Sequence, residues 1–237
     1  MRIDQEECSG CKMCINVCTV GAISMNEKKN AHIDLDQCVE CGVCKRIEIC
    51  PTDAIVEEKL SWPRSIRRLY SDPTGVFAET GVDGRGTEEM KTNEITNRYL
   101  LGELGVVLDI GRPNVGTKFK DVETIASALA KDGIEFEKSN PVVGLMEDPK
   151  NGKFKSDIKN ERVLSAILEF KVPINKILNT LDQLKKIGEE IDTVFSVGII
   201  SVTQDNQAEE ARNQMLQNGW NVKPNGKVNL GLGRSDG

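Results

Sequence analysis

The sequence is poor in histidine, in aromatic residues and in long apolar runs. One histidine, His32, occurs among 237 residues, and aromatic residues make up 4% of the chain. A single histidine excludes multi-histidine metal sites within the chain, and no nucleophile–base pair can be assembled from spacing. The position of His32 before Ile33 predicts a strand residue rather than a proton carrier. No apolar run approaches the roughly 18 residues of a membrane span. The longest, Val194 to Val202, predicts a buried strand.

The charge distribution argues against nucleic-acid binding. Charged residues are 29% of the chain, the net charge is −6, and no basic run is interleaved with aromatic residues. Residues 1–58 contain six Lys/Arg against eleven Asp/Glu, a net charge of −5. An acidic N-terminal part either docks on a basic partner face or only keeps the protein in solution.

All eight cysteines lie between residues 8 and 50, in two groups of four. The first group has the spacing C-x2-C-x2-C-x3-C and the second C-x2-C-x2-C-x5-C-P. Residues 1–7 are acidic and lack an apolar signal segment, so we expect a cytoplasmic protein with reduced cysteines. Zinc sites usually pair cysteines as C-x2-C twice, and a third cysteine at the same gap does not suit them. The spacing therefore favours iron–sulfur ligation over zinc and over disulfide bonds.

The segments around the two cysteine groups repeat each other. Ile3-Asp4 and Ile33-Asp34 each begin five residues before the first cysteine of their group. Ala22-Ile23 and Ala54-Ile55 each begin four residues after the last cysteine. A short strand, a cysteine loop and a second short strand therefore occur twice. Such a unit needs its copy to bury its apolar face.

With these motifs and this repeat, residues 1–58 resemble a two-cluster bacterial ferredoxin domain, which is about a quarter of the chain. The resemblance implies a pseudo-twofold domain with two [4Fe-4S] clusters, each taking three ligands from one motif and the fourth from the other. For the first cluster it implies the ligands Cys8, Cys11, Cys14 and Cys50. For the second it implies Cys38, Cys41, Cys44 and Cys18. Glycines in the loops, Gly10 and Gly42, let backbone amides approach the sulfides closely.

Two departures from the family pattern concern the end of each motif. Thr19 stands where the first motif usually has a proline, which stops the helix and turns the chain. The second motif has five residues, Lys45 to Ile49, where three are usual. Two extra residues rotate a helix by about 200 degrees, so we expect a bulge that delivers Cys50. The cluster that uses Cys50 is either an intact [4Fe-4S] cluster or a three-iron cluster.

Residues 59–103 read as a long, partly irregular connector. Four glycines fall between residues 75 and 86, and periodicity is weak. The polar segment from Gly81 to Arg98 either orders against the clusters or a partner, or forms a mobile linker. Arg64, Arg67 and Arg68 either receive an anionic group or form a solvated face, and the solvated face is the more common case.

Residues 104–237 predict a second domain of mixed helices and strands. The predicted strands cover 105–110, 134–143, 193–203, and a hairpin of 220–223 with 227–232 around Asn225-Gly226. The predicted helices lie at 121–133 with Asp121 as the N-cap, at 163–168, after Pro173 to residue 191, and at 208–219. This order predicts an α+β sandwich, with an antiparallel sheet and helices on one face. It resembles ferredoxin-like and ACT-type sandwiches by pattern alone.

The segment Gly111 to Lys118, G-R-P-N-V-G-T-K, nearly spells a phosphate loop. A phosphate loop ends in Gly-Lys-Ser/Thr, whereas here the threonine precedes the lysine, and Pro113 removes one amide. A turn that leaves a strand is therefore the favoured interpretation.

Three functions remain open at this stage. The first is an electron-transfer protein that relays single electrons through two [4Fe-4S] clusters to or from a larger anaerobic oxidoreductase, with residues 104–237 for docking or assembly. The second is a redox-linked regulatory or ligand-binding protein. The third, a catalytic subunit, has little support because no acid–base set or flavin motif stands out. The expected partner is a redox protein or oxidoreductase complex, and the sequence also allows a homo-oligomer.

Overall fold

A computed structural model describes residues 1–75 and 97–224, which form an α+β fold of helices and small antiparallel sheets. The N-terminal strands are β1 (Arg2–Ile3), β2 (Ile23–Met25), β3 (Ala31–Ile33) and β4 (Ile55–Val56). Strand β1 pairs with β4, and β2 pairs with β3. Each strand of the first sequence repeat therefore pairs with a strand of the second.

The isoleucines of the repeat meet across these strand pairs. Ile3 lies opposite Ile55, and Ile23 lies opposite Ile33. Three of the four are less than 9% exposed, and Ile33 packs against them. The same small core contains Met1, Cys14, Ala22, Ala31, Cys38, Cys44 and Ala54. Because each half supplies only a few of these side chains, burial needs both halves, as the repeat predicts.

Two short helices come next: α1 (Val43–Arg46) lies within the second cysteine motif, and α2 (Ser65–Leu69) follows it. Helix α2 lies inside the segment predicted as connector. Its Ile66 and the following Tyr70 are 2% and 1% exposed, and both belong to the core formed by residues 104–215. The Tyr70 ring meets the Phe119 ring edge-on, with centroids 5.6 Å apart. Most of the polar segment 81–98 lies outside the described residues, so its two interpretations stay open.

The rest of the described chain is built around one long strand, β5 (Glu103–Ile110). Four short strands follow it: β6 (Thr117–Lys118), β7 (Met146–Asp148), β8 (Lys153–Phe154) and β9 (Arg162–Val163). Two longer strands complete the order, β10 (Ala166–Pro173) and β11 (Phe195–Ile200). The longer helices are α3 (Phe119–Lys131), α4 (Ile177–Ile187) and α5 (Gln207–Gln217).

The main sheet is antiparallel, with β5 between β10 and β11. Alternate residues of β5 and β10 belong to one core cluster with the apolar stripes of the three helices. From the strands this cluster takes Leu104, Val106, Leu108, Ile110, Ala166, Leu168, Phe170 and Val172. On the opposite face, Val107 and Ile167 pack with Tyr99 in a separate small cluster.

The helix predicted at 163–168 is wrong. Residues 162–163 form β9 and residues 166–173 form β10. Leu168 faces the helices and Ile167 faces Tyr99, and both are at most 5% exposed. A strand buried on both faces carries no polar alternation, so its apolar run reads equally well as a helix.

Three further predictions for this part need correction. Residues 134–143 form no strand beyond a single bridge between Phe136 and Phe170, because the chain turns around buried Asn140 and Pro141 cannot donate to a ladder. Residues 220–223 form no strand, and the predicted 225–232 part of the hairpin lies outside the described residues. Asp121 is a buried residue inside α3 and not its N-cap, because α3 begins at Phe119 beside β6.

Strand β11 occupies the predicted place but is not buried. Only Phe195–Ile200 of the predicted 193–203 is a strand, and Ser196, Val197 and Gly198 are exposed. The reason is its position, because β11 pairs on one side with β5 and stands at the edge of the sheet in the described part of the chain. Edge strands commonly carry weaker burial than central ones.

Candidate iron–sulfur sites

Two cavities in the N-terminal part are each lined by four cysteines. The first, cavity 1, has an empty volume of about 310 Å³, part of which is open to solvent. Its cysteines are Cys8, Cys11, Cys14 and Cys50. The remaining wall includes Ile3 and Ile55, the facing pair from β1 and β4. The first cysteine loop therefore closes around a space that the second motif reaches with one residue.

The second cavity, cavity 2, is built in the same way with the roles of the motifs exchanged. Its empty volume is about 330 Å³, and its cysteines are Cys18, Cys38, Cys41 and Cys44. The wall here includes Ile23 and Ile33, the facing pair from β2 and β3. Each set of four cysteines that the resemblance assigned to one cluster therefore lines one cavity of the structure.

The cysteines around each cavity are not gathered at a single point. In residues 1–75 and 97–224, no group of three or more His, Cys, Asp or Glu side chains could hold one ion. A zinc ion needs four ligand atoms at about 2.3 Å from one point. A four-iron cube instead takes each thiolate on a different iron, so its ligands stand around a space. The all-cysteine donor set and the open centres therefore fit a cluster and not zinc.

Backbone amides support the sulfur atoms at matching positions of the two halves. The amide of Ala22 donates to Cys18 Sγ at 3.1 Å, and the amide of Ala54 donates to Cys50 Sγ at 3.2 Å. Both alanines stand four residues after their cysteine, so the sequence repeat produces the same hydrogen bond in each half. Ala31 adds a donor to Cys8 Sγ at 3.4 Å. Such donors stabilise negative charge on thiolate sulfur.

Burial in the cavities shifts the pKa values of several cysteine thiols. Burial raises the pKa of Cys14 and Cys38 above the ordinary value. Burial and the neighbouring cysteines raise the pKa of Cys44 to about 12. Burial also acts to raise the pKa of Cys50, but donors led by Thr52 outweigh it and the net pKa is lowered. Four thiolates brought close together need a cationic group among them, and bound iron fits that need.

The two departures from the family pattern have structural counterparts. The Thr19 hydroxyl lies 3.4 Å from Cys41 Sγ, so the residue that replaces proline contacts a sulfur of cavity 2. In the longer second motif, α1 ends at Arg46 and the chain turns at Glu48, whose φ is 50°. This turn lets Cys50 reach cavity 1. The sulfur contact of Thr19 was not predicted, although its place in the motif could have suggested it.

The arginines of the connector have a role that sequence reasoning missed. Arg67 is 5% exposed, and its Nη1 donates to the main-chain carbonyls of Leu35, Asp36 and Cys38 at 2.8, 3.2 and 2.8 Å. Its Nε pairs with Glu161. Arg64 binds Glu40, the residue between two cavity-2 cysteines, at 2.6 Å. The predicted solvated face is therefore wrong for Arg67, which joins the second cysteine loop to the later chain.

The other candidate sites carry no such arrangement. In the segment Gly111–Lys118, the amide of Gly111 donates to the Val194 carbonyl, and the amides of Val115 and Gly116 donate to the Gly111 carbonyl. These amides are not free to hold a phosphate, so the segment is a turn. His32 is an exposed residue of β3, with Nδ1 3.3 Å from the Ser24 hydroxyl across the strand pair.

Comparison with known proteins agrees with this geometry. Residues 7–54 match the model of the 4Fe-4S dicluster domain. The chain is 36% identical over 55 residues to the ferredoxin of Methanothermococcus thermolithotrophicus, which covers 22% of this chain and 88% of the ferredoxin. The chain belongs to the 4Fe-4S dicluster ferredoxin family. Membership rests on its N-terminal quarter, which is an iron–sulfur domain of the ferredoxin type.

Two further relatives are subunits of oxidoreductases, and they match over the same part. Identity is 38% over 55 residues to the pyruvate synthase subunit PorD of Methanocaldococcus jannaschii, and 41% over 54 residues to the indolepyruvate oxidoreductase subunit IorA of Pyrococcus abyssi. These matches cover 23% and 22% of this chain, but 62% and 8% of the two relatives. No solved structure matches the chain. Among the described helices, none has the length and apolar character to cross a bilayer.

Proposed function

We propose that this protein carries single electrons through two [4Fe-4S] clusters, to or from a larger oxidoreductase. One observation carries the proposal: two four-cysteine cavities lie in one small domain, and each takes its fourth cysteine from the other motif. In this proposal Cys8, Cys11, Cys14 and Cys50 hold cluster 1, and Cys38, Cys41, Cys44 and Cys18 hold cluster 2. A bound [4Fe-4S] cluster supplies a one-electron couple that needs no bond rearrangement in the protein.

The chain's own residues would hold each cluster and adjust the charge around it. The thiolates fix the irons, and the apolar walls of Ile3, Ile55, Ile23 and Ile33 limit the access of water. The amides of Ala22, Ala31 and Ala54 donate to thiolate sulfur and so stabilise the more negative, reduced state. Whether cluster 1 is a full cube or a three-iron cluster depends on how firmly Cys50 is held.

Residues 104–237 would serve docking or assembly, as a two-layer α+β sandwich joined to the 1–58 domain by the connector 59–103. Two of the matching relatives are oxidoreductase subunits, which supports an oxidoreductase complex as the partner. The match covers the cluster domain alone, so this support concerns that domain. We expect the cytoplasm of an anaerobic or low-oxygen cell as the setting, because oxygen destroys exposed clusters of this type. Self-association into a homo-oligomer is compatible with this role.

Metal and sulfide analysis with EPR tests the proposal. After anaerobic reconstitution, about eight irons and about eight sulfides per chain are expected, with two reversible low-potential signals. Cys18→Ser and Cys41→Ser should alter the same EPR signal, that of cluster 2. Cys50→Ser and Cys11→Ser should alter the other signal, that of cluster 1. Thr203→Ser, far from the cysteine loops in sequence, is the matched control. Zinc in place of iron, or no visible absorbance that a reductant removes, would contradict electron transfer.

A redox-linked regulatory protein is the second candidate, and one contact favours it. Arg67 joins the carbonyl of Cys38, a cavity-2 cysteine, to Glu161 in the later chain. A change of charge on cluster 2 would act on this arginine and through it on residues 104–237. Hydrogen exchange of the full chain, oxidised against reduced, separates the candidates. Protection changes beyond residue 104 favour regulation, and changes confined to the cysteine loops favour a simple carrier.

A further inference from the structure

The two cavities differ in how much of the later chain lies against them. A methyl group placed on Gly42, which lines cavity 2, would lie 3.6 Å from Asp72 Oδ2. Another placed on Gly116 would lie 3.6 Å from Cγ1 of Val20, which also lines cavity 2. With the Arg67 bond to the Cys38 carbonyl, residues after 58 therefore reach the wall of cavity 2 at three points. The connector and the later chain therefore lie against parts of the wall of this cavity.

Cavity 1 has its most accessible sulfur at the surface of the described chain. Cys11 is exposed, and Ser9 and Lys12 on either side of the loop are exposed too. Met13, directly after them, is 45% exposed. Cys14, deeper in cavity 1, is 8% exposed. In cavity 2, Cys38 and Cys44 are 9% exposed and Cys18 and Cys41 are half-buried, so none of its four cysteines is exposed as Cys11 is. Cluster 1 would therefore have one exposed cysteine ligand, whereas no cysteine of cavity 2 is exposed.

We infer that electrons pass between this protein and its partner at the rim of cavity 1 around Cys11, and that cluster 2 exchanges electrons with cluster 1 alone. The inference rests on the proposed electron-transfer function. Electron tunnelling falls steeply with distance, so a partner's redox centre must come close to the cluster it serves. Chain packed against cavity 2 adds distance there, whereas the rim of cavity 1 allows a close approach.

The charges at the rim indicate the chemistry of the partner. Glu6, Glu7 and Glu48 are exposed and lie within two residues of a cavity-1 cysteine in sequence. The exposed positive residues near this rim are Lys12, Lys28 and Lys29, of which Lys29 packs its carbonyl against Gly10. Nearby, Lys45 is already paired with Asp53. Together with the net charge of −5 over residues 1–58, this rim suits a redox protein with a basic face that covers Met13. A second copy of this chain does not suit it, since two acidic rims would repel.

Relaxation measurements on the holoprotein test which cluster is near the surface. In partly reduced samples, the EPR power saturation of each cluster is recorded with and without a soluble dysprosium chelate, which speeds the relaxation of nearby spins. Cys11→Ser and Cys41→Ser identify the signals of clusters 1 and 2. We expect a large effect on cluster 1 and a several-fold smaller effect on cluster 2. Equal effects, or a larger one on cluster 2, would overturn the inference while leaving two reversible clusters and the proposed function intact.

A pair of charge reversals at equivalent positions of the repeat tests the docking rim. Glu6 and Asp36 are both exposed and both stand two residues before the first cysteine of a motif. With cationic cytochrome c as the probe, Glu6→Lys should slow electron transfer several-fold at low salt and little at high salt. Asp36→Lys changes the net charge equally and should slow it much less. Equal slowing by the two variants would refute docking at the cavity-1 rim. Iron content is measured in both variants, because loss of the clusters would count against the proposed function and not against the docking site.

Discussion

Replacement of Arg67 by methionine should destabilise the protein more than the same replacement of Arg68, the other charged residue of α2. The Arg67 and Glu161 side chains are 6% and 14% exposed, so methionine leaves a carboxylate without its partner in a nearly dry site. Breaking a buried ion pair on one side costs about 3–5 kcal/mol. Nη1 has two hydrogens for its three carbonyl acceptors, so with Nε the side chain makes about three full hydrogen bonds, and their loss at about 1 kcal/mol each gives a similar sum.

The assay is anaerobic urea unfolding followed by far-UV circular dichroism and by visible cluster absorbance. Arg68→Met is the matched control on the same helix. Arg68 is 37% exposed and pairs with Glu57, which is 46% exposed, and at 3.5 Å with Asp72. Asp72 keeps Arg46 and Thr74 as partners when Arg68 is replaced, so the loss should cost only about 1 kcal/mol. In Arg67→Met, cluster absorbance should disappear at lower urea than the helical signal, because the loop before Cys38 loses its anchor.

A double variant tests the cause of the loss. In Arg67→Met with Glu161→Leu no charge is left unpaired, so part of the stability should return. The return should be incomplete, because the carbonyls of Leu35, Asp36 and Cys38 still lack the donor. If Arg67→Met costs less than about 1 kcal/mol, water replaces the guanidinium and the bridge between the loop and the later chain has no energetic weight.

Three other predictions concern single contacts. Thr19→Val removes the hydroxyl beside Cys41 Sγ and should lower the reduction potential of cluster 2 alone, as read by EPR-monitored titration. Asp72 has a pKa that burial acts to raise but that Thr74 and the nearby arginines hold below the ordinary value of 3.8. Its stabilising effect is therefore full above about pH 4 and is lost as pH falls through the lowered value, so Asp72→Asn should flatten the acid side of the stability curve. Gly152→Ala should destabilise by about 1–3 kcal/mol in denaturant unfolding, because φ is +62° and the new methyl would overlap the backbone of Ala126. Gly144→Ala, where nothing lies within 4 Å, should be nearly neutral.

Patterns that depend on neighbouring residues carried the sequence predictions furthest. The cysteine spacings and the repeated isoleucines indicated the ferredoxin-type domain, and the isoleucines pair across the strands as β1–β4 and β2–β3. The helix predicted after Pro173 is present as α4, preceded by a short 3-10 turn at Ile174–Lys176. These features depend on a fixed ligand spacing, a turn residue or a helical period, all of which are visible within a short window of sequence.

Features that depend on distant contacts escaped the same reasoning. Arg67 looks like a surface charge in its own segment, and only the approach of Leu35 and Cys38 from one side and Glu161 from the other buries it. The strand β10 looks like a helix because both of its faces are covered. Polarity in sequence reports exposure only where one face of an element meets water.

The amino-acid sequence by itself determined the cluster-binding domain, because the spacing of eight cysteines and the repeated strand pattern fix which residues can surround each cluster. Tertiary structure alone decided which cavity the later chain lies against, since that depends on where α2 and the turn at Gly116 meet the wall of cavity 2. The physical reason is that ligand spacing is a property of a short segment, whereas burial is a property of everything that packs around it.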